Sequence, residues 1–123
     1  MTKPTYQDAD MMLKMAQLHS DAGIPELGAW IWSDEFITKH EEFVKEYPLG
    51  SEGFTKFSSF LFWYETLGTL YKHGLFNEEL LLDWVMVGAV WERLENIILG
   101  LREQFESPRL YENFELMAKA DKE

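Results

Sequence analysis

Large apolar residues recur along the C-terminal half of the chain at alternating intervals of four and three residues. The run consists of Leu80, Trp84, Val87, Trp91, Leu94, Ile98, Leu101 and Phe105. A repeat that averages about 3.5 residues places these side chains along one side of an α-helix, where they form a seam against a neighbouring helix. The spacing therefore predicts one long helix from about Glu78 to Phe105, with Asn77 as its N-cap.

Helical spacing of apolar residues extends over most of the remaining chain, and the alternation typical of strands is almost absent. It predicts a first helix from about Gln7 to His19 and a third from about Glu52 to His73, with Ser51 as the N-cap of the third. Between these two, Pro25 to Tyr47 is interpreted as either one kinked helix or two short ones.

The last helix is predicted to begin at Ser107 and Pro108, which are favoured at the N-cap and at the first helical position. Together these segments predict an all-α protein, an antiparallel bundle of four to five helices with short connections. No linker or internal repeat interrupts the 123 residues. We interpret residues 1–123 as a single all-helical domain.

The composition argues against several functions. The chain has no Cys, so disulfides and thiolate metal sites are excluded. None of the three histidines follows a Glu at the spacing used by di-metal bundles, and we expect neither a metal nor another cofactor. A net charge of −11 opposes binding to a nucleic-acid backbone. The apolar runs are too short to span a membrane and no secretory signal is recognisable, so we expect a cytoplasmic protein.

Glu65 lies within the most apolar predicted helix. A carboxylate in such a position must be paired, hydrogen-bonded, protonated or at the surface. The structural interpretation is a buried bond to Arg102, Arg93 or an indole N–H. The functional interpretation is a general acid or base with a raised pKa, and we favour the structural one.

Four glycines fall within predicted helices: Gly28, Gly68, Gly88 and Gly100. Because each costs up to about 1 kcal/mol relative to Ala, a compensating reason is expected. Close approach of two helices is the usual one, and a ligand cavity next to Gly68 and Gly88 is the alternative.

The stretch from about Phe60 to Met117 resembles a family of small all-helical bacterial proteins of unknown function. The resemblance is carried by Trp63-Tyr64-Glu65, Gly74-Leu75-Phe76, Trp91-Glu92, Arg102, Tyr111 and Phe114-Glu115. It implies a bacterial cytoplasmic setting, an all-α fold and a structural cluster of Glu65, Trp91 and Arg102. The family implies no activity.

Aromatic residues make up 15 % of the chain, more than one small domain buries easily. Since Trp and Tyr are enriched at interfaces, we expect a non-catalytic interaction module that self-associates, with a further protein partner as an option. The alternatives are a bundle that binds a small molecule between the third and fourth helices, and an enzyme using Glu65. The candidate ligand-binding residues are Tyr64, Glu65, Trp84, Trp91 and Arg102, and no catalytic or metal-ligating residue is assigned.

Overall fold

The computed structural model describes residues 3–121, in which all regular structure is helical. Seven helices follow one another there: α1 (Tyr6–Asp21), α2 (Ile24–Ile31), α3 (His40–Glu46), α4 (Glu52–Lys72), α5 (Glu78–Trp84), α6 (Val87–Gln104) and α7 (Glu112–Ala120). The all-α class is confirmed. The expected four to five helices become seven because two of the predicted segments are each divided in two.

Three helices begin at caps that lie next to them in the sequence. Thr5 and Asp8 form a reciprocal capping box at the start of α1, with each side chain bonding to the other's backbone N–H. The side chains of Ser51 and Asn77 accept bonds from the backbone N–H groups of Phe54 and Leu80. The predicted N-caps of α4 and α5 are thus confirmed.

The segment from Pro25 to Tyr47, left open by the sequence, forms two helices. Helix α2 ends at Ile31 and α3 begins at His40. The hydroxyl of Ser33, just after α2, donates to the carbonyl of Trp30 in the last turn of that helix. Phe36, in the connection, is buried among the rings of Trp30 and Phe43.

The single long helix predicted from Glu78 to Phe105 is wrong. The chain leaves helical geometry at Val85, with φ −116° and ψ 140°, and α6 begins at Val87. Leu81 and Val87 are both fully buried, whereas Phe105 is 39 % exposed. Packing of Leu81 and Val87 on the core therefore overrides the continuous 3.5-residue repeat, and the β-branched Val85 tolerates the extended conformation.

The start predicted for the last helix at Ser107 and Pro108 is also wrong. The chain makes tight turns through this region, with hydrogen bonds from the N–H of Leu110 to the carbonyl of Ser107 and from the N–H of Glu112 to that of Arg109. Helix α7 then begins at Glu112.

Helix α4 lies at the centre of the fold. It packs against α2 and, most extensively, against α7, while α6 contacts α3 and α7. Eight of its residues are buried: Phe54, Phe57, Phe60, Leu61, Trp63, Tyr64, Leu67 and Gly68. Helix α4 thus supplies a large part of the core.

Close approach of α4 and α7 depends on Gly68. A Cβ at this position would overlap the backbone carbonyl of Asn113, which cannot move independently of α7. The space beside Gly68 is therefore filled by α7, and the expected alternative of a ligand cavity beside it is wrong. Gly28 differs, because a Cβ there would lie 3.7 Å from the ring of Phe60, an ordinary contact.

We expect Gly68→Ala and Gly28→Ala to change stability in opposite directions. Gly68→Ala should lower the free energy of unfolding by about 1–3 kcal/mol, because the methyl group overpacks a helix contact. Gly28→Ala should raise it by up to about 1 kcal/mol through helix propensity. Urea denaturation of both variants measures the difference, and equal effects would contradict the close approach at Gly68.

Candidate functional site

The N-terminus of α7 is completed by a side chain from α4. Tyr111, which precedes α7, has a left-handed φ of 57° and provides no side-chain cap. The carboxylate Oε1 of the half-buried Glu65 accepts a 2.9 Å hydrogen bond from the backbone N–H of Phe114. Negative charge at this position also suits the positive end of the helix dipole.

The partner expected for Glu65 was an arginine or an indole. Within residues 3–121 its side chain bonds instead to a backbone amide, so the anticipated bond is replaced by a cap. The contact supports the structural interpretation of this residue. Its proposed role as acid or base gains no support from this geometry.

Two other helices are capped by the same device. The side chain of Asn96, in α6, accepts a 2.9 Å bond from the N–H of His40 at the start of α3. Asp121, just after α7, accepts a 3.0 Å bond from the N–H of Gly88 near the start of α6. The N-cap residues of α3, α6 and α7 themselves make no side-chain cap bond. These three helices therefore depend on tertiary contacts for their N-termini.

Arg102 and Trp91 hold the other side of α7. The Nε of Arg102 donates a 2.8 Å bond to the carbonyl of Leu110, and its Nη2 lies 2.9 Å from Oε1 of Glu115 in an ion pair. Its guanidinium lies 5.8 Å from the centre of the Trp91 ring. Trp91 in turn meets Phe114 edge to face at 5.2 Å. Glu65, Trp91 and Arg102 thus all contact α7 or the turn before it.

The remaining candidate residues, Tyr64 and Trp84, line a separate cleft. This α5–α6 cleft opens at the helix break, has a volume of about 390 Å³, and is lined by Ala16, His19, Trp63, Tyr64, Trp84, Val85, Met86 and Val90. Burial raises the pKa of Tyr64 to about 12, so the phenol is neutral near pH 7. The five candidates are therefore divided between the α7 contacts and the cleft, and their binding role stays a prediction.

A second concave surface, the α4 groove, lies between α1 and one face of α4. Its volume is about 570 Å³, and it is lined by Met15, Leu18, Ala22, Thr55, Ser58, Ser59, Phe62, Trp63, Thr66 and Tyr111. None of these lining residues carries a charge. Phe62 is 70 % exposed and Leu18 is 53 % exposed. The groove is thus an uncharged, largely apolar surface on an acidic protein.

One feature of the sequence indicates this groove, although the spacing of the large apolar residues does not reveal it. Small hydroxyl residues stand at positions 55, 58, 59 and 66, at helical spacing from Phe62. This face of α4 therefore lacks the large side chains of a core face. The orphan indole Nε1 of Trp63, which is buried without a hydrogen-bond partner within residues 3–121, had no such signal.

No helix within residues 3–121 is both long and apolar enough to cross a bilayer. Over the same part of the chain, no cluster of three or more His, Asp or Glu side chains is arranged to hold a metal ion.

The fold defines an all-helical protein in which α3, α6 and α7 each receive an N-terminal cap from a distant part of the chain. The chain belongs to a family described as a domain of unknown function, DUF4760, whose model matches residues 2–120. The expected resemblance to a family of unknown function is confirmed, and the match extends over the N-terminal half as well. No curated protein and no solved structure matches the chain.

Removing the carboxylate of Glu65 should destabilise the fold. We expect Glu65→Ala to lower the free energy of unfolding by about 1–2 kcal/mol, because the N-terminus of α7 loses its acceptor. Glu65→Gln, which keeps an oxygen acceptor, should retain most of the stability. Chemical denaturation measures both, with the exposed Glu95→Ala as the matched control. A loss in Glu65→Ala no larger than in the control would contradict the capping role.

Glu115 should contribute to the acid sensitivity of the fold. Burial alone would raise its pKa, but hydrogen bonds and charges from Lys119 and Arg102 outweigh burial and lower the pKa below its usual value. The stabilisation is therefore present above about pH 4.3, the usual glutamate pKa, and is lost as the pH falls through the lower folded-state pKa.

We expect wild type to lose more stability than Glu115→Gln between pH 7 and about pH 3, since the amide does not titrate. Urea unfolding at both pH values is the measurement, with the exposed Glu92→Gln as control. An identical pH dependence in wild type and Glu115→Gln would show that the pair does not stabilise the folded state.

Proposed function

We propose that the protein is a self-associating interaction module and that two copies pair through the α4 groove. The observation that carries this proposal is the exposure of Phe62, whose ring is 70 % exposed within an uncharged groove. Exposed apolar surface of this kind is typical of interaction sites. The ring of Phe62 projects from the same helix face that forms the groove, so two copies of this surface can fit together.

The lining chemistry favours an apolar partner. The hydroxyls of Thr55 and Thr66 donate to carbonyls one turn earlier in α4, those of Ser51 and Phe62. These threonines can therefore be covered without stranding a polar hydroxyl. Ser58 and Ser59 are small, so a ring from a partner has room beside Phe62.

Charge favours a second copy over a basic protein. A basic partner would be selected by carboxylates, and the groove presents none. Two copies that each carry a net charge of −11 repel one another over most of their surface. A surface without charge is where that repulsion is weakest. In a two-fold arrangement, each Phe62 enters the groove of the other copy.

Phe62→Glu should abolish self-association without disturbing the fold. The change removes the apolar ring and places two carboxylates at the two-fold contact, so we expect the dimerisation constant to weaken by at least about a hundredfold, the effect of losing a buried aromatic anchor. Sedimentation velocity over a concentration series measures it, and circular dichroism verifies the fold.

Leu49→Glu is the matched control, because Leu49 is also 70 % exposed but lies in the turn between α3 and α4, outside the groove. It should associate as wild type does. A wild-type chain that is monomeric at every concentration, or a dimer that persists in Phe62→Glu, would refute the proposal.

A further inference from the structure

Helix α1 is held against the rest of the fold by few buried groups. All 16 of its residues lie in the described part of the chain, and Met15, 6 % exposed, is the only buried one among them. The ring of His19 adds an edge-to-face contact with Trp63 at 4.7 Å. The nine-residue α7, in comparison, buries three residues and is anchored by Glu65 and Arg102. Because burial of apolar groups holds helices in place, α1 is the more weakly attached of the two.

The boundary between α1 and α4 is incompletely packed. The α4 groove and the α5–α6 cleft each have residues of α1 on one side and residues of α4 on another. A third recess, of about 400 Å³, is lined by Leu70 of α4 and by α1 residues that include Met11 and Met15. Open space along a helix boundary means that fewer atoms are in contact, so α1 gains less dispersion energy than a helix in a packed core.

Helix α1 keeps its own shape without help from other elements. The capping box of Thr5 and Asp8 closes its N-terminus, and Gln17 donates a 2.9 Å bond to Asp21 one turn later. At 16 residues it also exceeds the length of about 12–15 residues below which isolated helices are marginal. Helices α3, α6 and α7 differ, because each would lose its N-terminal acceptor on separating from its neighbours. Helix α1 can therefore move away and stay helical.

The junction between α1 and α2 provides a hinge. Helix α1 ends at Asp21, and Gly23 adopts a left-handed φ of 72° before α2 begins at Ile24. Glycine passes between left- and right-handed backbone conformations at little cost, so rotation at Gly23 reorients α1 as a whole. Ile24 is 1 % exposed and keeps the start of α2 fixed while α1 moves.

We propose that α1 is a hinged lid that swings about Gly23 as an intact helix and exposes Trp63 when it opens. In the closed form Trp63 is covered by its contact with His19 and lies beside the buried Met15 at the α4 groove. Opening breaks these few contacts and leaves the capping box in place. It therefore costs less than unfolding α1, which would lose the contacts and the helix together.

The lid also bears on the pairing of two copies, a consequence that rests on the proposed function. Met15 and Leu18 of α1 form one wall of the α4 groove. If Phe62 of a second copy enters that groove, it contacts a wall that is in place only while the lid is closed. Pairing and closure then stabilise each other, because coupling between two equilibria is reciprocal. The lid thereby regulates self-association.

Thiol labelling measures the opening, since the chain has no Cys and an introduced thiol is the only one. Met15→Cys and Met117→Cys make the same change at buried positions of α1 and α7, which are 6 % and 0 % exposed. Both are made in the full chain with Phe62→Glu, so that pairing does not contribute, and are labelled with the neutral 4,4′-dithiodipyridine. We expect labelling of Met15→Cys to be at least about a hundredfold faster and nearly independent of low urea, whereas labelling of Met117→Cys should follow global unfolding. Equal rates with the same urea dependence would refute the lid.

Two variants of the Met15→Cys chain distinguish hinged opening from other routes. Gly23→Ala strains the closed form at its left-handed φ, so opening and labelling should accelerate about tenfold. Asp8→Ala removes the capping box, which is present in both the closed and the open form, so the rate should stay within about twofold of the parent. An unchanged rate in Gly23→Ala would mean direct labelling of the closed form, and acceleration in Asp8→Ala would mean unfolding of α1. Either result would overturn the proposal.

Circular dichroism verifies the fold of each variant, and Met12→Cys replaces Met15→Cys if that chain is unfolded. The link to pairing is tested with Phe62 intact, where labelling of Met15→Cys should slow as rising protein concentration populates the dimer. A rate that stays constant while the chain dimerises would overturn the regulatory role. A chain that fails to dimerise would refute the proposed pairing instead, and the lid measurement in Phe62→Glu would be unaffected.

Discussion

The docking of α7 against α4 and α6 is the contact on which the other features of the fold depend. Gly68 allows the backbone of α7 to approach α4, and Glu65, one turn earlier, then reaches the free N–H of Phe114. On the opposite side, Arg102 bonds to the turn before α7 and pairs with Glu115. The close approach and the cap require each other, because a carboxylate on α4 reaches the amide only when the two backbones lie close together.

Contacts between distant parts of the chain complete other helices as well. Helices α3 and α7 are short, with seven and nine residues, and isolated helices of that length are marginal in water. Each acquires its N-terminal acceptor from a distant part of the chain, as does α6. At a helix C-terminus, where the backbone lacks donors, Arg93 of α6 donates a 2.7 Å bond to the carbonyl of Ile31, the last residue of α2. Secondary structure and tertiary packing are therefore expected to form together rather than in sequence.

Two N-caps set by local chemistry were predictable from the sequence, whereas the local signal at Ser107 and Pro108 was misleading and features set by distant contacts were not predictable. Ser51 and Asn77 cap helices that follow them directly, so their types and positions were sufficient. Glu65 was recognisable as a charge in an apolar helix, but its partner is a backbone amide, which leaves no trace in residue types. The break at Val85 carries no Gly or Pro, and only the burial of both Leu81 and Val87 accounts for it. The sequence placed Tyr64 and Trp84 at a candidate pocket between the third and fourth predicted helices, and both line the cleft; that Val85 and Met86 line it as well follows only from the break.

The position of α4 explains why both concave surfaces, the α4 groove and the α5–α6 cleft, border it. A central helix is covered by neighbours on most sides, and its aromatic residues turn towards α2 and α7. One face remains, where serine and threonine replace large side chains and Phe62 projects alone. Trp63, the next residue, lines both the α4 groove and the α5–α6 cleft. A single ring thus separates the two concave surfaces. The threonine hydroxyls of the α4 groove donate to carbonyls of their own helix, so apolar coverage of the groove leaves neither of them without a partner.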